Sequence, residues 1–281
     1  CQIELQIRGE GYHKGWQYKI MKILLSSGSL YTLPLEKAFQ IASETGYDGM
    51  EVIISETFGQ DEGYSLLRNL QQVLPISVLH APFHVIPGWG DRITALLKTI
   101  ELAKRIFVPM VNFHPPRWFD LEIKFWRWIY TVEDFQRELG GETVTIAMEN
   151  MPYRGRPLRF NPYILRRTRD VVRFIEKKNL YFTFDCTHMG TAKTDFEGDF
   201  LRLYRTKRVK NIHFSDYRNQ MEHLLPGSGT LPLAGLLEYL RESNYDEMIT
   251  LEIIPQELPE DEEAIKEVLG AAALHIRGEL K

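Results

Sequence analysis

An α/β fold in which eight parallel strands close into a (β/α)8 barrel is predicted by three observations. The chain has 281 residues, close to the roughly 250 typical of such a barrel. From Met21 onward, short apolar runs alternate with amphipathic segments without a break, the order that builds a parallel sheet through crossover helices. Six of those runs stop abruptly on His, Asp or Glu, as strands do when they deliver side chains to the mouth of a barrel. Periodicity alone also fits an open doubly wound sheet, and it is the length and strand number that favour closure.

Residues 1–20 are polar and aperiodic and lack the apolar stretch of a signal-peptide core. They are read as a leader outside the domain, which spans 21–281. Within it, Ile23-Leu24-Leu25 forms the first strand and Pro34 to Thr45 a helix with Pro in its first turn. Gly46-Tyr47-Asp48-Gly49 turns the chain into the second strand, Met50 to Ile54. A helix over Glu62 to Val73 leads to the third, Ile76 to His80, and another over Arg92 to Ile106 to the fourth, Met110 to His114. Asp120 to Leu139 is expected as one long helix before the fifth strand, Val144 to Glu149. A long loop and the helix Arg169 to Lys178 precede the sixth, Leu180 to Asp185. A short helix over Phe200 to Thr206 precedes the seventh, Val209 to His213. Pro232 to Glu242 is a helix, Met248 to Glu252 the eighth strand and Glu260 to Leu274 the closing helix.

Composition narrows the function classes. The chain is 44% hydrophobic and 26% charged, as in soluble globular proteins. Its formal net charge of -4 provides no global attraction to nucleic acid or an anionic membrane, so neither is an expected partner. No apolar run reaches the ~20 residues needed to span a bilayer. Cys1 and Cys186 provide no disulfide framework, which points to a reducing, cytoplasmic setting. A homo-oligomer is compatible with all of this.

The chemistry lies where the strands stop. Strands three to eight finish on His80, His114, Glu149, Asp185, His213 and Glu252. Singly, each reads as a hydrogen-bonded or solvated loop residue. Together, on one face of a parallel barrel, the carboxylates would repel unless a cation neutralised them. Mixed carboxylate and imidazole ligation suits Mn, Co, Zn or Fe better than Ca.

The ordered set Glu149, Asp185 with His188 three residues later, His213 in His213-Phe214-Ser215-Asp216, and Glu252 resembles the xylose isomerase-like (β/α)8 TIM barrel superfamily. That superfamily holds sugar isomerases and epimerases, inosose dehydratase and endonuclease IV. The resemblance covers Met21 to about Leu274, and is specific as a set rather than motif by motif. In the tagatose and psicose 3-epimerase branch, the positions of Glu149, Asp185, His213 and Glu252 hold one divalent metal, here expected to be Mn, Co, Mg or Zn. The two glutamates act there as acid and base on opposite faces of the substrate. The resemblance therefore implies a metal-dependent isomerase or epimerase that moves a proton on a sugar or sugar phosphate through a metal-stabilised enediolate. It also implies that His188 and Arg218 contact substrate oxygens. Asp216 and His223 complete the expected substrate-binding group, with Arg218 alternatively a loop arginine paired to Asp216 and His223 alternatively an anchor for the Leu224 to Gly229 turn.

Other readings stay open. A dehydratase follows if the enediolate expels a β-hydroxyl, and a sugar-binding barrel without turnover follows if the pocket outlived the reaction. The nuclease branch is the sharpest competitor. His80 and His114 match its second metal site, with Glu149 as the bridge, but an Asp required for its third site falls on Met221, whose thioether cannot replace an anionic oxygen ligand. The arginines from Arg154 to Arg169 read as an anion-recognising lid or as a solvated loop. Phe83, Trp89, Phe113 and Trp118 read as pocket wall or as core, and Cys186 as buried and inert.

Overall fold

The computed structural model describes residues 21–59, 61–118, 122–155, 159–192 and 194–280. Residues 1–20, read from the sequence as a leader and including Cys1, and Arg156 and Pro157 of the arginine-rich loop lie outside the described residues. Ten strands are described: β1 Lys22–Ser26, β2 Gly49–Ile53, β3 Ile76–His80, β4 Met110–Phe113, β5 Thr145–Glu149, β6 Tyr181–Asp185, β7 Val209–Phe214, β8 Asp216–Arg218, β9 Met221–Leu224 and β10 Met248–Leu251. Eight of them close into a barrel in the order β1-β10-β7-β6-β5-β4-β3-β2, every neighbouring pair parallel. The α-helices are α1 Leu35–Glu44, α2 Asp61–Leu70, α3 Arg92–Ile106, α4 Ile123–Thr131, α5 Thr168–Lys177, α6 Cys186–Gly190, α7 Phe196–Tyr204, α8 Leu233–Glu242 and α9 Glu262–Glu279.

Because side chains alternate along a strand, each strand feeds two compartments. Outward residues such as Ile23, Leu25, Phe182, Phe184 and Phe214 pack under the helices in one continuous apolar layer. Inward, Leu24, Val78, Met110 and Ala147 plug the lower barrel. Two residues further along, the same faces carry His80, Asn112 and Glu149, all buried. This change of chemistry within one strand step, from apolar plug to polar layer, is what concentrates the ionisable groups at the C-terminal mouth.

The structure departs from the sequence expectation in several places. The helix expected over 120–139 is broken: α4 ends at Thr131, Val132 is extended at ψ 123, and a separate π-helical turn spans Gln136–Gly140. Lys178 holds the broken end, its ammonium donating to the carbonyls of Tyr130 at 2.7 Å and Val132 at 2.6 Å, which the ended helix leaves without intrahelical partners. Secondly, α6 follows β6 without a loop, because Asp185 caps it, accepting from the His188 N–H at 2.6 Å. Thirdly, β8 and β9 form an antiparallel hairpin after β7. Its turn residues Asn219 and Gln220 both have positive φ, 53° and 71°, the backbone that lets a two-residue turn follow strand twist. The helix expected at Phe200 begins earlier, at Phe196, capped by Asp195.

Candidate metal centre

His213, on β7, is the hub. Its Nδ1 lies 2.8 Å from Glu252 Oε2, 3.5 Å from Asp185 Oδ2 and 3.5 Å from Glu149 Oε2. Glu149, Asp185 and His213 offer ligand atoms all within 4.8 Å of one another. The structure thus brings together the four residues expected from β5, β6, β7 and the end of β10. Glu252 is held from β1 by the Ser26 hydroxyl at 3.4 Å.

Two buried atoms at this centre lack a well-formed hydrogen bond among the described residues: Asp185 Oδ2 has no partner, and His213 Nδ1, although 2.8 Å from Glu252 Oε2, does not meet it with hydrogen-bond geometry. Orphaned buried polar atoms are rare and need a cause. Here both point at shared space bordered by three carboxylates, which a divalent cation with oxygen and nitrogen ligands would fill. The protonation pattern agrees. Burial alone would lower the His213 pKa, yet Glu51, Glu252 and Glu149 outweigh it and raise it well above the ordinary imidazole value. Burial likewise raises the carboxyls of Glu149 and Glu252, but the facing His213 charge dominates and holds both below their usual range. A field that keeps the ring doubly protonated against burial would equally attract a metal ion.

A second group forms beside it from His80, His114 and Glu149. His80 Nε2 lies 3.3 Å and His114 Nε2 3.6 Å from Glu149 Oε2. Burial lowers the His114 pKa to about 4, so its ring is neutral at physiological pH. A third group comprises Asp185, His188 and His223. His188 Nδ1 is 2.9 Å from the Asn150 carbonyl and 3.0 Å from Glu149 Oε1. Burial would lower its pKa, but Asp185 and Glu149 prevail and raise it to about 9. His223 sits at φ 57°, a left-handed backbone unusual for a non-glycine residue; its ring packs edge-on to His188, 5.2 Å between centroids. Its Nδ1 is 3.2 Å from the Glu252 carbonyl oxygen.

One pattern unites three of these histidines, His80, His188 and His213. A carbonyl can only accept, so His80, bonded to the Ala81 carbonyl at 2.9 Å, and His188 carry the proton on Nδ1 and present Nε2. His213 is reversed: its Nε2 faces both oxygens of Glu51 at 3.1 Å and Nδ1 is presented. Rings tethered at one nitrogen and offered at the other are the usual arrangement of metal-ligating histidine.

One expected substrate-binding residue, Asp216, takes another role, and the alternative pairing expected for Arg218 does not form. Both Asp216 oxygens are spent on the backbone N–H groups of Tyr217, Gly227, Gly229 and Leu231, so Asp216 anchors the Pro-Gly loop that was assigned alternatively to His223. A side chain at Gly229 would collide with that carboxylate. Arg218 is exposed on the hairpin, with no ion pair to Asp216, because Asp216 is already saturated. Met221 is exposed. Of the four aromatics, Phe83 stacks on His114 at 5.4 Å, whereas Trp89 and Phe113 are core and Trp118 is partly exposed, its indole donating to the Asn161 carbonyl. Cys186 is buried, which pushes its thiol well above the ordinary value.

The β5–α5 loop crosses the mouth. Arg154 pairs with Glu222 at 2.8 Å and Arg159 bonds the Tyr217 hydroxyl at 3.1 Å, tying the loop to the hairpin. Arg166 and Arg167 rim a cavity of about 440 Å³ that reaches Asn150 and His188. Four residues at the centre escaped the sequence reading: Ser26, Glu51, Asn112 and Asn150. Glu51 had a signal, a lone acid inside the apolar run of β2.

A family model described as xylose isomerase-like TIM barrel matches residues 39–273. An uncharacterised protein of Mycobacterium tuberculosis is 28% identical over 259 residues, covering 83% of this chain and 89% of its own length. Among solved structures, an L-ribulose 3-epimerase superposes with a TM-score of 0.69 at 15% identity, covering 93% of this chain and 95% of that one. The IolI protein with a bound zinc atom gives 0.71 at 16% identity, covering 93% and 99%. Endonuclease IV from Thermus thermophilus gives 0.62 at 17% identity, covering 90% and 99%.

Proposed function

The chain belongs to the xylose isomerase-like TIM barrel family, and on that premise we propose that it is a divalent-metal-dependent isomerase or epimerase acting on a sugar or sugar phosphate. The observation that carries the reading is the pair Glu149 and Glu252, approaching one His213 nitrogen at 3.5 and 2.8 Å from different strands, beside the orphaned Asp185 oxygen. The residues that would hold the cation are Glu149, Asp185, His213 and Glu252. When bound there, a divalent cation supplies Lewis acidity, withdrawing electron density from a carbonyl and its neighbouring hydroxyl so that the adjacent C–H becomes acidic.

The chain's own groups do the rest. Glu149 and Glu252 are ionised and able to take a proton from carbon on one side and return it on the other. His188, with Nδ1–H committed to Asn150, turns Nε2 toward substrate oxygen, and in its charged form donates there. Phe83 and the β5–α5 loop shield the mouth from water. The fold is shared with an L-ribulose 3-epimerase and with a probable 3-DHS dehydratase from Bacillus anthracis; elimination is the variant of the proposed reaction in which a β-hydroxyl leaves.

The nuclease alternative draws on the His80, His114 and Glu149 group, which matches a second metal site. Against it stands the third group. Its carboxylate is Asp185, already shared with the first group and capping α6, while the position expected to supply a dedicated Asp is the exposed Met221.

The test is solvent exchange. Metal-loaded protein incubated in deuterated water with ketoses, aldoses and their phosphates should exchange a carbon-bound hydrogen in at least one, and E252Q should abolish that exchange, since an amide is no base at neutral pH. A wild-type protein that exchanges nothing across the panel would refute the reading, and tight binding without exchange would point to a binding barrel.

A further inference from the structure

Beneath the metal centre lies a buried carboxylate to which the proposed chemistry gives no part. Glu51, on the inner face of β2, is fully buried, and no Lys or Arg pairs with it among the described residues. Both its oxygens lie 3.1 Å from His213 Nε2. Oε2 also accepts from Asn211 Nδ2 at 2.8 Å. The Asn211 amide is itself oriented, because its oxygen accepts from the Thr250 hydroxyl at 2.9 Å. Residues from three strands thus converge to hold one carboxylate against one imidazole nitrogen. A buried anion is costly to maintain without a compensating role.

We propose that Glu51 is the positioning residue of the centre: it holds the proton of His213 on Nε2, so that the Nδ1 lone pair faces Glu149, Asp185 and Glu252 as a metal ligand. The inference rests on the metal centre proposed above. A carboxylate can only accept, so a neutral His213 beside it is the Nε2–H tautomer. The same negative charge makes the ring a stronger donor to a cation. An amide in its place reverses the constraint. In Glu51→Gln the NH2 sits against Nε2 whenever the amide oxygen serves Asn211, favouring acceptance at Nε2 and a proton on Nδ1, where it blocks ligation.

The experiment compares wild type, E51Q and E51D as full-length, metal-free proteins titrated with Zn or Mn against a chromogenic chelator, with the His213 tautomer read from long-range nitrogen-proton NMR of imidazole-labelled protein. Wild type should show Nε2–H, E51Q should bind metal roughly 10- to 100-fold more weakly with an altered His213 signature, and E51D should recover part of the affinity. Equal affinity of folded E51Q and wild type overturns the inference, as does an Nδ1–H tautomer in metal-loaded wild type. The second measurement decides the matter even if E51Q does not fold. Wild type that binds neither metal refutes the metal centre instead, and its His213 tautomer, read at a pH high enough to leave the ring neutral, still reports whether Glu51 controls the ring, with Nδ1–H there overturning the inference.

Discussion

Replacing Glu149 by Gln tests the centre at its most connected point, because this carboxylate borders both the first and the second ligand groups. Oε2 accepts from Asn112 Nδ2 at 2.7 Å and Oε1 lies 3.0 Å from His188 Nδ1. Glutamine keeps one oxygen and gains an NH2, so a donor must face one of these two donors. Asn112 can answer by turning its own amide, since its oxygen has no partner among the described residues. His188 cannot, because Nδ1–H is committed to the Asn150 carbonyl. Exchanging the charge-assisted hydrogen bond from Asn112 for a neutral one and losing the ionic contact to His188 costs about 1 kcal/mol each, or about 2 kcal/mol in the metal-free protein. For a chain of this size that lowers the melting temperature by roughly 4–8 °C. The larger effect is on metal: a cation at 100 times its Kd stabilises wild type by about 2.7 kcal/mol, and E149Q should gain almost none of this. Paired thermal melts with EDTA and with Mn or Zn read both quantities. An E149Q protein stabilised by metal as strongly as wild type would refute the placement of the centre.

Two further outcomes follow from the same geometry. Metal binding should release protons, because His213 is held protonated well above the ordinary imidazole range and His188 up to about 9, and affinity should rise from pH 7 to 9. The sign for stability is opposite: with both pKa values raised on folding, the metal-free protein keeps this contribution below about 6.5, loses the His188 part as pH rises through about 9, and loses the His213 part only well above the ordinary imidazole range. Calorimetry in buffers of different ionisation enthalpy measures the release, and a heat independent of buffer contradicts it. Secondly, the protein should not incise a duplex with an abasic site at low salt, even with added Zn or Mn, since a net charge of -4 opposes binding that depends on basic contacts to phosphates. Incision accompanied by two or three bound metals would establish the nuclease.

Much of this protein was legible in one dimension. Length and the alternation of apolar runs with amphipathic segments were enough for the barrel, because burial on both faces makes a parallel strand continuously apolar and its end conspicuous. Glu149, Asp185, His213 and Glu252 stood out for that reason, each an ionisable group at the end of an apolar run. Local sequence could not show what depends on contacts far along the chain. The carbonyls at the break after α4 are satisfied by Lys178, 48 residues beyond Tyr130. The role of Asp216, and the absence of its pairing with Arg218, were decided by the folding of the Pro-Gly loop back over one carboxylate. Glu51 meets His213 across 162 residues, through strands that are not neighbours in the barrel. Local sequence determines which side chains point inward; only closure of the barrel determines which of them share one buried space, and so which nitrogen of His213 holds a proton and which faces the centre.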